Sequence, residues 1–380
     1  MVLIVSEPRA HAPVVVIGAG QAGLSVAYHL RRLGLDPGDD FVVLDRGPGP
    51  GGAWQHRWES LRIGSAHRIA DLPGMAELGV SFDTADRTAP ARDIVADYYR
   101  RYEEHYGLRV VRPAHVRRVE NIGADLVTTF LDRDGDAVQV ASQIIVNASG
   151  TWGAPFVPWY PGRDSFRGRQ LHTAEFRSAE EFDGQRVVVV GGGTSAKEFM
   201  LDLEPWAAEL VWVSRHPIRW VDETPDANLD ARLEAVARQD EAARAGRALP
   251  SIVSGTGIPR TRRVQQGIER GLLVARPMFS AIAPDGVVWA PGVRDGGVEH
   301  FAADAILWAT GFRPELRHLA PLKLREEAGG VVVAQGVSWR DPRIFFAGYG
   351  PQASTIGANR AGRLVARQVV ASLIRMRSPS

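Results

Sequence analysis

Two short β-branched runs, Val14–Ile17 and Val187–Val190, each stop at a cluster of glycines and then give way to a helical spacing of apolar residues. The first passes through Gly18-Ala19-Gly20-Gln21-Ala22-Gly23 into Leu24, Ala27, Tyr28, Leu30 and Leu33. It then reaches a second run, Phe41–Leu44, ending at Asp45 and Arg46. The second passes through Gly191-Gly192-Gly193-Thr194-Ser195-Ala196 into a helix over about Ser195–Leu203. The strand that follows, Glu209–Ser214, ends at Arg215 and His216. A continuous apolar run bounded by turn residues reads as a buried strand, and the change of period marks strand, turn and helix in succession. The pattern thus predicts two β-turn-α-β units.

Elsewhere the spacing predicts helices over Arg92–Tyr106, Leu229–Ala245, Arg260–Arg270 and from about Ile356 to the C-terminal region. Short strands are predicted at Arg109–Val111, Val116–Glu120, Asp125–Leu131, Ala137–Ala141, Val287–Trp289, Ala305–Trp308 and Val331–Val333. Two more, Ile144–Val146 and Arg343–Ala347, would complete the first sheet. They flank the second unit, so the second unit is expected as an insertion in the first. The fold expected is α/β, with two Rossmann-like dinucleotide-binding domains. Its boundaries are 1–155, 156–308 with an inserted helical segment at about 222–259, and 309–380.

Each glycine turn has a chemical reading. In Gly18–Gly23 the spacing is G-x-G-x-x-G, which permits a tight turn, close approach of backbone to a pyrophosphate and packing of helix on strand. A helix N-terminus offers that pyrophosphate free N–H groups and partial positive charge. Asp45 can accept both ribose hydroxyls and repels a 2′-phosphate, which suits FAD or NAD. The second unit has Arg215 where the first has an acid. A guanidinium there can pair with a 2′-phosphate, which suits NADPH; the alternative is a solvated strand-end arginine. Trp54 and Trp58, in a Gly-rich loop, are read as flat walls for a flavin or nicotinamide ring. His172 is read as a hydrogen-bonded structural histidine or as a proton-transfer residue.

Composition narrows the chemistry further. Cysteine is absent, so no dithiol relay of the disulfide-reductase kind can operate in this chain. A net charge of +1 provides no field to attract nucleic acid or an anionic membrane. No apolar run approaches the length of a membrane span, and the N-terminus has no basic leader, so a cytoplasmic protein is expected. No His/Asp/Glu cluster has metal-ligand spacing, and no metal is expected.

Five ordered blocks make the chain resemble the class B flavoprotein monooxygenases: GAGQAG with Asp45, GGAWQHRWESL at Gly51–Leu61, Phe166–Phe176, GGGTSA at Gly191–Ala196, and ATGFRP at Ala309–Pro314. Phe166, Gly168, His172 and Phe176 match the family fingerprint F-x-G-x-x-x-H-x-x-x-[FYW]. Phe176-Arg177 leans to the flavin-containing type rather than the Baeyer–Villiger type, and the chain looks most like small bacterial members. The resemblance implies that Gly18, Gly20, Gln21 and Gly23 hold the FAD pyrophosphate and Asp45, beside Arg46, its ribose. It implies that Gly52, Ala53, Trp54, Trp58 and Leu61 line the flavin, Val116 meets the adenine, and Ala148 and Gly150 border the site. Gly191, Gly193, Thr194 and Ser195 would hold the NADPH pyrophosphate, and Arg215 and His216 its 2′-phosphate. Thr310 and Gly311 would link the domains, and the helix at Ile356 would point at the flavin pyrimidine.

The implied activity is NADPH- and O2-dependent oxygenation of a nucleophilic sulfur or nitrogen of a small molecule through a C4a-hydroperoxyflavin. Many flavin-containing monooxygenases carry an Asn after the GG-x-W loop. Ser60–His67 has none here, and Ser65 is the nearest equivalent. That departure leaves open a reductase or oxidase that passes electrons to a partner or to O2, beside a Baeyer–Villiger enzyme. Segment 222–259 reads equally as a lid, part of the substrate pocket or a dimer contact, with a homodimer one possible assembly.

Overall fold

The computed structural model describes residues 10–66, 69–222, 229–249, 257–290, 300–353 and 355–377. In chain order, β1 (Ala10–His11) and β2 (Val14–Ile17) lead into α1 (Gln21–Arg32), β3 (Phe41–Leu44) and α2 (Ala91–His105). A meander of β4 (His115–Ile122), β5 (Asp125–Leu131) and β6 (Ala137–Ser142) precedes β7 (Ile144–Asn147). The next section holds β8 (Arg169–His172), β9 (Arg186–Val190), α3 (Thr194–Leu203), β10 (Glu209–Ser214), β11 (Trp220–Val221), α4 (Leu229–Arg244), β12 (Ile258–Pro259) and α5 (Arg262–Glu269). After it come β13 (Arg276–Pro277), β14 (Ala281–Ala283), β15 (Gly286–Val288), β16 (His300–Ala302) and β17 (Ala305–Trp308). The chain closes with β18 (Val333–Ala334), β19 (Val337–Ser338), β20 (Ile344–Phe346) and α6 (Thr355–Arg377).

Two sheets organise these elements. The first has the order β18-β19-β20-β7-β2-β3, with β20, β7, β2 and β3 parallel. The second is β13-β10-β9-β17-β8, parallel throughout. Every strand of the second sheet lies in sequence between β7 and β20, which are neighbours in the first. The second unit is therefore an insertion. The parallel strands β2, β7 and β20 are buried along their whole length, as the unbroken apolar runs require. Helices α1 and α6 pack together so closely that a Cβ on Gly362 would meet the Ser25 hydroxyl oxygen at 2.2 Å.

Two expectations need correction. Arg109–Val111 is not a strand: Arg109 has φ 47°, which breaks an extended run, and only Val111 makes an isolated bridge, to Leu44. Conversely β8 lies inside the Phe166–Phe176 fingerprint, where its Arg-Gln-Leu-His sequence lacks the β-branched signature. It is held as the edge of the second sheet by register with β17, His172 opposite Trp308.

The end of β7 carries a buried polar pair. The Nε2 of His318 lies 2.7 Å from the Oδ1 of Asn147, both groups buried, and burial pulls the imidazole pKa down from 6.5 to about 4. Between those values the unfolded chain holds a proton that the folded chain does not, so stability falls as pH drops through this window. We expect His318→Gln to flatten the loss of Tm between pH 6.5 and 4, with up to roughly 3 kcal/mol of pH-dependent stability at stake. A Tm-versus-pH curve parallel to the parent's would contradict this origin.

Candidate functional site

The two glycine turns are built alike. Gly18 has φ +104°, and a Cβ there would lie 2.4 Å from the Ala148 carbonyl oxygen. Gly191 has φ +141°, and its Cβ would lie 2.2 Å from the Ala309 carbonyl oxygen. Both positions combine a backbone conformation reserved for glycine with no room for a side chain. Gly23 lets α1 settle on the turn, since a Cβ would meet the Gly18 oxygen at 1.8 Å. Helices α1 and α3 begin at Gly20 and Gly193, which offer no capping side chain, and no acid stands in either first turn. Their first N–H groups remain available to an anion. A Cβ on Gly20 would approach nothing nearer than Gly52 Cα at 3.9 Å, whereas one on Gly52 would meet Gly20 Cα at 2.8 Å. The Gly52 loop is thus pressed against the first turn. These features fit dinucleotide pyrophosphates at both turns.

Asp45 closes the first site. Its carboxylate accepts the Ala19 N–H at 2.8 Å and the Gly47 N–H at 2.9 Å, and lies 3.3 Å from Arg112 Nε. Arg112 also pairs bidentately with Glu103, at 2.6 and 2.7 Å. Burial pushes the Glu103 carboxyl up, against the bonds from Arg112. Arg112 and Glu103 were missed by sequence reasoning because they stand outside the motif and become neighbours only through α2.

The side chain of Gln21 is engaged on three sides. Its side-chain carbonyl accepts the Tyr99 hydroxyl, and its amide donates to Ala70 O and to Asn359 Oδ1, both at 2.9 Å. Asn359 in turn donates to Asp71 O at 2.6 Å. The side chain of Gln21 ties α1 to α2 and α6, which leaves its backbone N–H for a phosphate.

The stretches Ala148–Phe156 and Ala309–Glu315 run between the units and pair with each other. Phe156 N–H donates to Gly311 O at 3.0 Å, Arg313 N–H to Ala154 O at 2.8 Å and Glu315 N–H to Gly150 O at 2.9 Å. The Thr310 hydroxyl donates to Phe156 O. A Cβ on Gly150 or Gly311 would meet nothing within 4 Å. Both glycines border open space, and both have positive φ.

The fingerprint locks this connector. His172 Nδ1 accepts the Ala174 N–H at 3.2 Å, which places the proton on Nε2, and that atom lies 2.9 Å from Gly311 O. Burial lowers the His172 pKa. Both ring nitrogens of His172 are thus engaged by backbone, which ties β8 to the second crossover. The fully buried Phe176 ring packs against Trp58, Phe182 and Phe199, with centroids 5.8, 5.8 and 4.5 Å away. Trp58 also lies 4.8 Å from Phe199 and donates its indole N–H to Asp202 Oδ2 at 3.3 Å. Trp58 thus anchors the first unit's loop to α3. Phe166 sits over Gly168, where a Cβ would strike its ring at 2.5 Å.

Trp54 remains on the seam, with Arg57 over its ring at 5.7 Å. Arg57 also lies 4.7 Å from the centre of Trp152, and Trp152 stacks on Phe312 at 4.9 Å. Arg57, Trp152 and Phe312 were not singled out from the sequence. An arginine in an Arg-rich chain carries no signal, and the two rings sit outside periodic elements.

The other expected residues are placed as follows. Ser65 donates its hydroxyl to Arg62 O at 3.2 Å, within its own exposed turn. Leu61 is buried, its carbonyl accepting the Ala91 N–H at 2.8 Å, and Ala53 is exposed beside Trp54. Val116, the second residue of β4, lies opposite Phe130. Thr194 and Ser195 form the first turn of α3. Arg46, Arg215 and His216 are exposed, and Arg215 has no ion pair among the described residues. The side chain of Ile356 lies outside the described residues, although its backbone belongs to α6. Residues 229–249 pack onto the first unit: Gly330 N–H donates to Gly246 O at 2.9 Å and Ala248 N–H to Ala328 O at 3.2 Å. Ala242, Ala243 and Leu249 share a buried core with Tyr349.

Among the described residues no helix is long and apolar enough to cross a membrane, and no group of three or more His, Asp or Glu could hold a metal.

A family model described as pyridine nucleotide-disulphide oxidoreductase matches residues 15–246. A flavin-containing monooxygenase of Stenotrophomonas maltophilia is similar in structure, with a TM-score of 0.76 and 33% identity, covering 96% of this chain and 99% of that one. Indole-3-pyruvate monooxygenase YUCCA1 of Oryza sativa subsp. japonica is 31% identical over 207 residues, covering 54% of this chain and 48% of that protein. Senecionine N-oxygenase of Tyria jacobaeae is 25% identical over 236 residues, with the same coverages of 54% and 48%. The chain spans about half the length of these curated relatives.

The seam gives a stability prediction. Phe176→Ala should cost about 3–5 kcal/mol in urea unfolding, as for other buried aromatics truncated in a packed site. Trp58→Phe, which keeps a ring but loses the bond to Asp202, should cost about 1 kcal/mol. Equal costs for the two variants would show that the Phe176 ring does not hold the seam.

Proposed function

The chain belongs to the pyridine nucleotide-disulphide oxidoreductase family and, within it, to the flavin-containing monooxygenases, and we propose that it uses FAD, NADPH and O2 to oxygenate a nucleophilic sulfur or nitrogen of a small molecule. The observation that carries the reading is the shared seating of the two glycine turns. Each rests on the first residue of a crossover, Ala148 or Ala309, and the two crossovers are hydrogen-bonded to each other. Two dinucleotide sites on one rigid connector suit transfer between two cofactors.

On this reading the unit built from 1–155 and 309–380 holds FAD and the unit at 156–308 holds NADPH. The chemistry these groups supply when bound is hydride donation from nicotinamide to flavin and activation of O2 by the reduced flavin. The protein's part is binding, orientation and exclusion of water. The free N–H groups at the start of α1 and α3 would hold the pyrophosphates. Asp45, already fixed by Ala19 and Gly47, would accept the ribose hydroxyls of the first nucleotide and repel a 2′-phosphate. Arg215, exposed at the end of β10, would pair with the 2′-phosphate of the second. His172 holds the Gly311 carbonyl, so the open space beside Gly150 and Gly311 keeps its shape. The Trp58–Phe176–Phe199 cluster seals the seam against water, which favours oxygen transfer over wasteful loss of reducing equivalents.

Two experiments test this. With a small thioether as substrate and labelled O2, one labelled oxygen atom should enter the product for each NADPH consumed. Steady NADPH consumption with no label in any organic product would overturn the monooxygenase reading in favour of an oxidase. Arg215→Ala should lower the ratio of kcat/KM for NADPH over NADH by about tenfold or more, the scale of one charge-assisted pair. An unchanged ratio would remove Arg215 from the 2′-phosphate site.

A further inference from the structure

Arg57, packed on Trp54 and Trp152, is a charged residue to which the proposed function gives no task. Its guanidinium is partly buried, 5.7 Å from the ring of Trp54 and 4.7 Å from that of Trp152. It also lies close enough to His172 to help keep that imidazole neutral. Among the described residues it has no ion pair and no hydrogen-bond acceptor, whereas Arg112, Arg186 and Arg317 are each matched to a carboxylate. Burial pulls its pKa down to about 10, with no carboxylate among the causes to offset it.

A guanidinium carries five N–H donors in a planar fork. The indoles compensate its charge from the side, but ring faces accept little of its hydrogen-bonding capacity. Its N–H edge therefore carries a standing desolvation cost, which a bidentate oxyanion would offset. The phosphates of both dinucleotides are already provided for, by the free N–H groups at Gly18–Gly23 and Gly191–Ala196. Arg57 belongs to neither turn. It sits on the loop that follows Gly52, against the crossover residue Trp152, beside the open space at Gly150 and Gly311.

We propose that Arg57 binds the carboxylate of the organic substrate, so that the molecules oxygenated are small acids carrying a nucleophilic sulfur or nitrogen. The assignment rests on the monooxygenase reading for the word substrate. The site itself rests only on the unmatched guanidinium between two indoles. Planar, bidentate recognition fixes both the position and the orientation of a carboxylate, which a lone ammonium could not do.

The test is calorimetric titration of the FAD-loaded enzyme, without NADPH or turnover, using 3-(methylthio)propanoate and its neutral amide. The parent should bind the acid at least tenfold more tightly than the amide. Arg57→Gln should weaken the acid by about tenfold to a hundredfold, the range for a charge-assisted bidentate pair. It should leave the amide and NADP+ within about twofold of the parent, on the same scale. Arg57→Lys, which keeps the charge and the stem, should lose an intermediate amount and serves if the Gln variant does not fold. Equal binding of acid and amide by the parent, or acid binding unchanged in both variants, would overturn the proposal. So would a loss confined to NADP+, which would make the oxyanion a nucleotide phosphate. Because this titration needs neither NADPH nor O2, its result is independent of whether labelled oxygen reaches a neutral thioether.

Discussion

A carbonyl oxygen pressed against a glycine holds both nucleotide turns in place. At Gly18 the oxygen belongs to Ala148, and at Gly191 it belongs to Ala309. Neither glycine has room for a Cβ, and both have φ values that a side chain would strain. The consequence reaches beyond the turns. Ala148 and Ala309 are the first residues of the two crossovers, so any shift of a turn moves a crossover. The crossovers are bonded to each other through Phe156–Gly311, Ala154–Arg313 and Gly150–Glu315. The two cofactor sites are thus coupled through main chain, without dependence on any flexible side chain.

The fingerprint acquires a physical meaning on this frame. Its four marked positions each hold a different part of the seam. Phe166 lies over Gly168, which fixes the entry into β8. His172, at the end of β8, reaches the Gly311 carbonyl of the second crossover. Phe176 leaves the sheet and receives Trp58 from the first unit. The spacing follows from this: a four-residue edge strand separates the glycine from the crossover contact, and a short turn separates that contact from the aromatic clamp. A motif that marks a family by sequence is, in this chain, also a clasp between segments of the two units.

Much of the fold was legible because it depends on local signals. The β-branched runs, the glycine turns and the flanking strands β7 and β20 predicted both units and the insertion. The meander at β4–β6 was legible from alternation. Strand β8 was not, because an edge strand of Arg, Gln, Leu and His is defined by its partner β17 and not by its own residues. The site was legible in its backbone part and less so in its side chains. Glycines announce themselves by type, and Asp45 by position after β3. The side-chain partners of Gln21 and Trp58, among them Tyr99, Asn359, Phe176 and Asp202, could not be read from the sequence, since they come from distant segments. Arg57 was illegible for the opposite reason: its significance lies in the lack of a matching acid among the described residues, which only the folded chain displays.

The seam therefore divides its labour by chemistry. On the proposed reading, phosphates would be met by backbone N–H groups at helix ends, where position is set by glycine geometry and tolerates no side chain. The remaining space is bounded by residues whose side chains decide what enters. Trp58, Phe176 and Phe199 interlock and leave no freedom for variation without loss of packing. Trp54, Arg57 and Trp152 all come from the first unit, with the Arg57 guanidinium over both rings and Trp152 standing on the crossover. A change at the first group costs stability, whereas a change at the second alters the charge presented to the open space beside Gly150 and Gly311. On the proposed reading, selectivity varies through Arg57, while the glycine turns that seat the two nucleotides stay fixed.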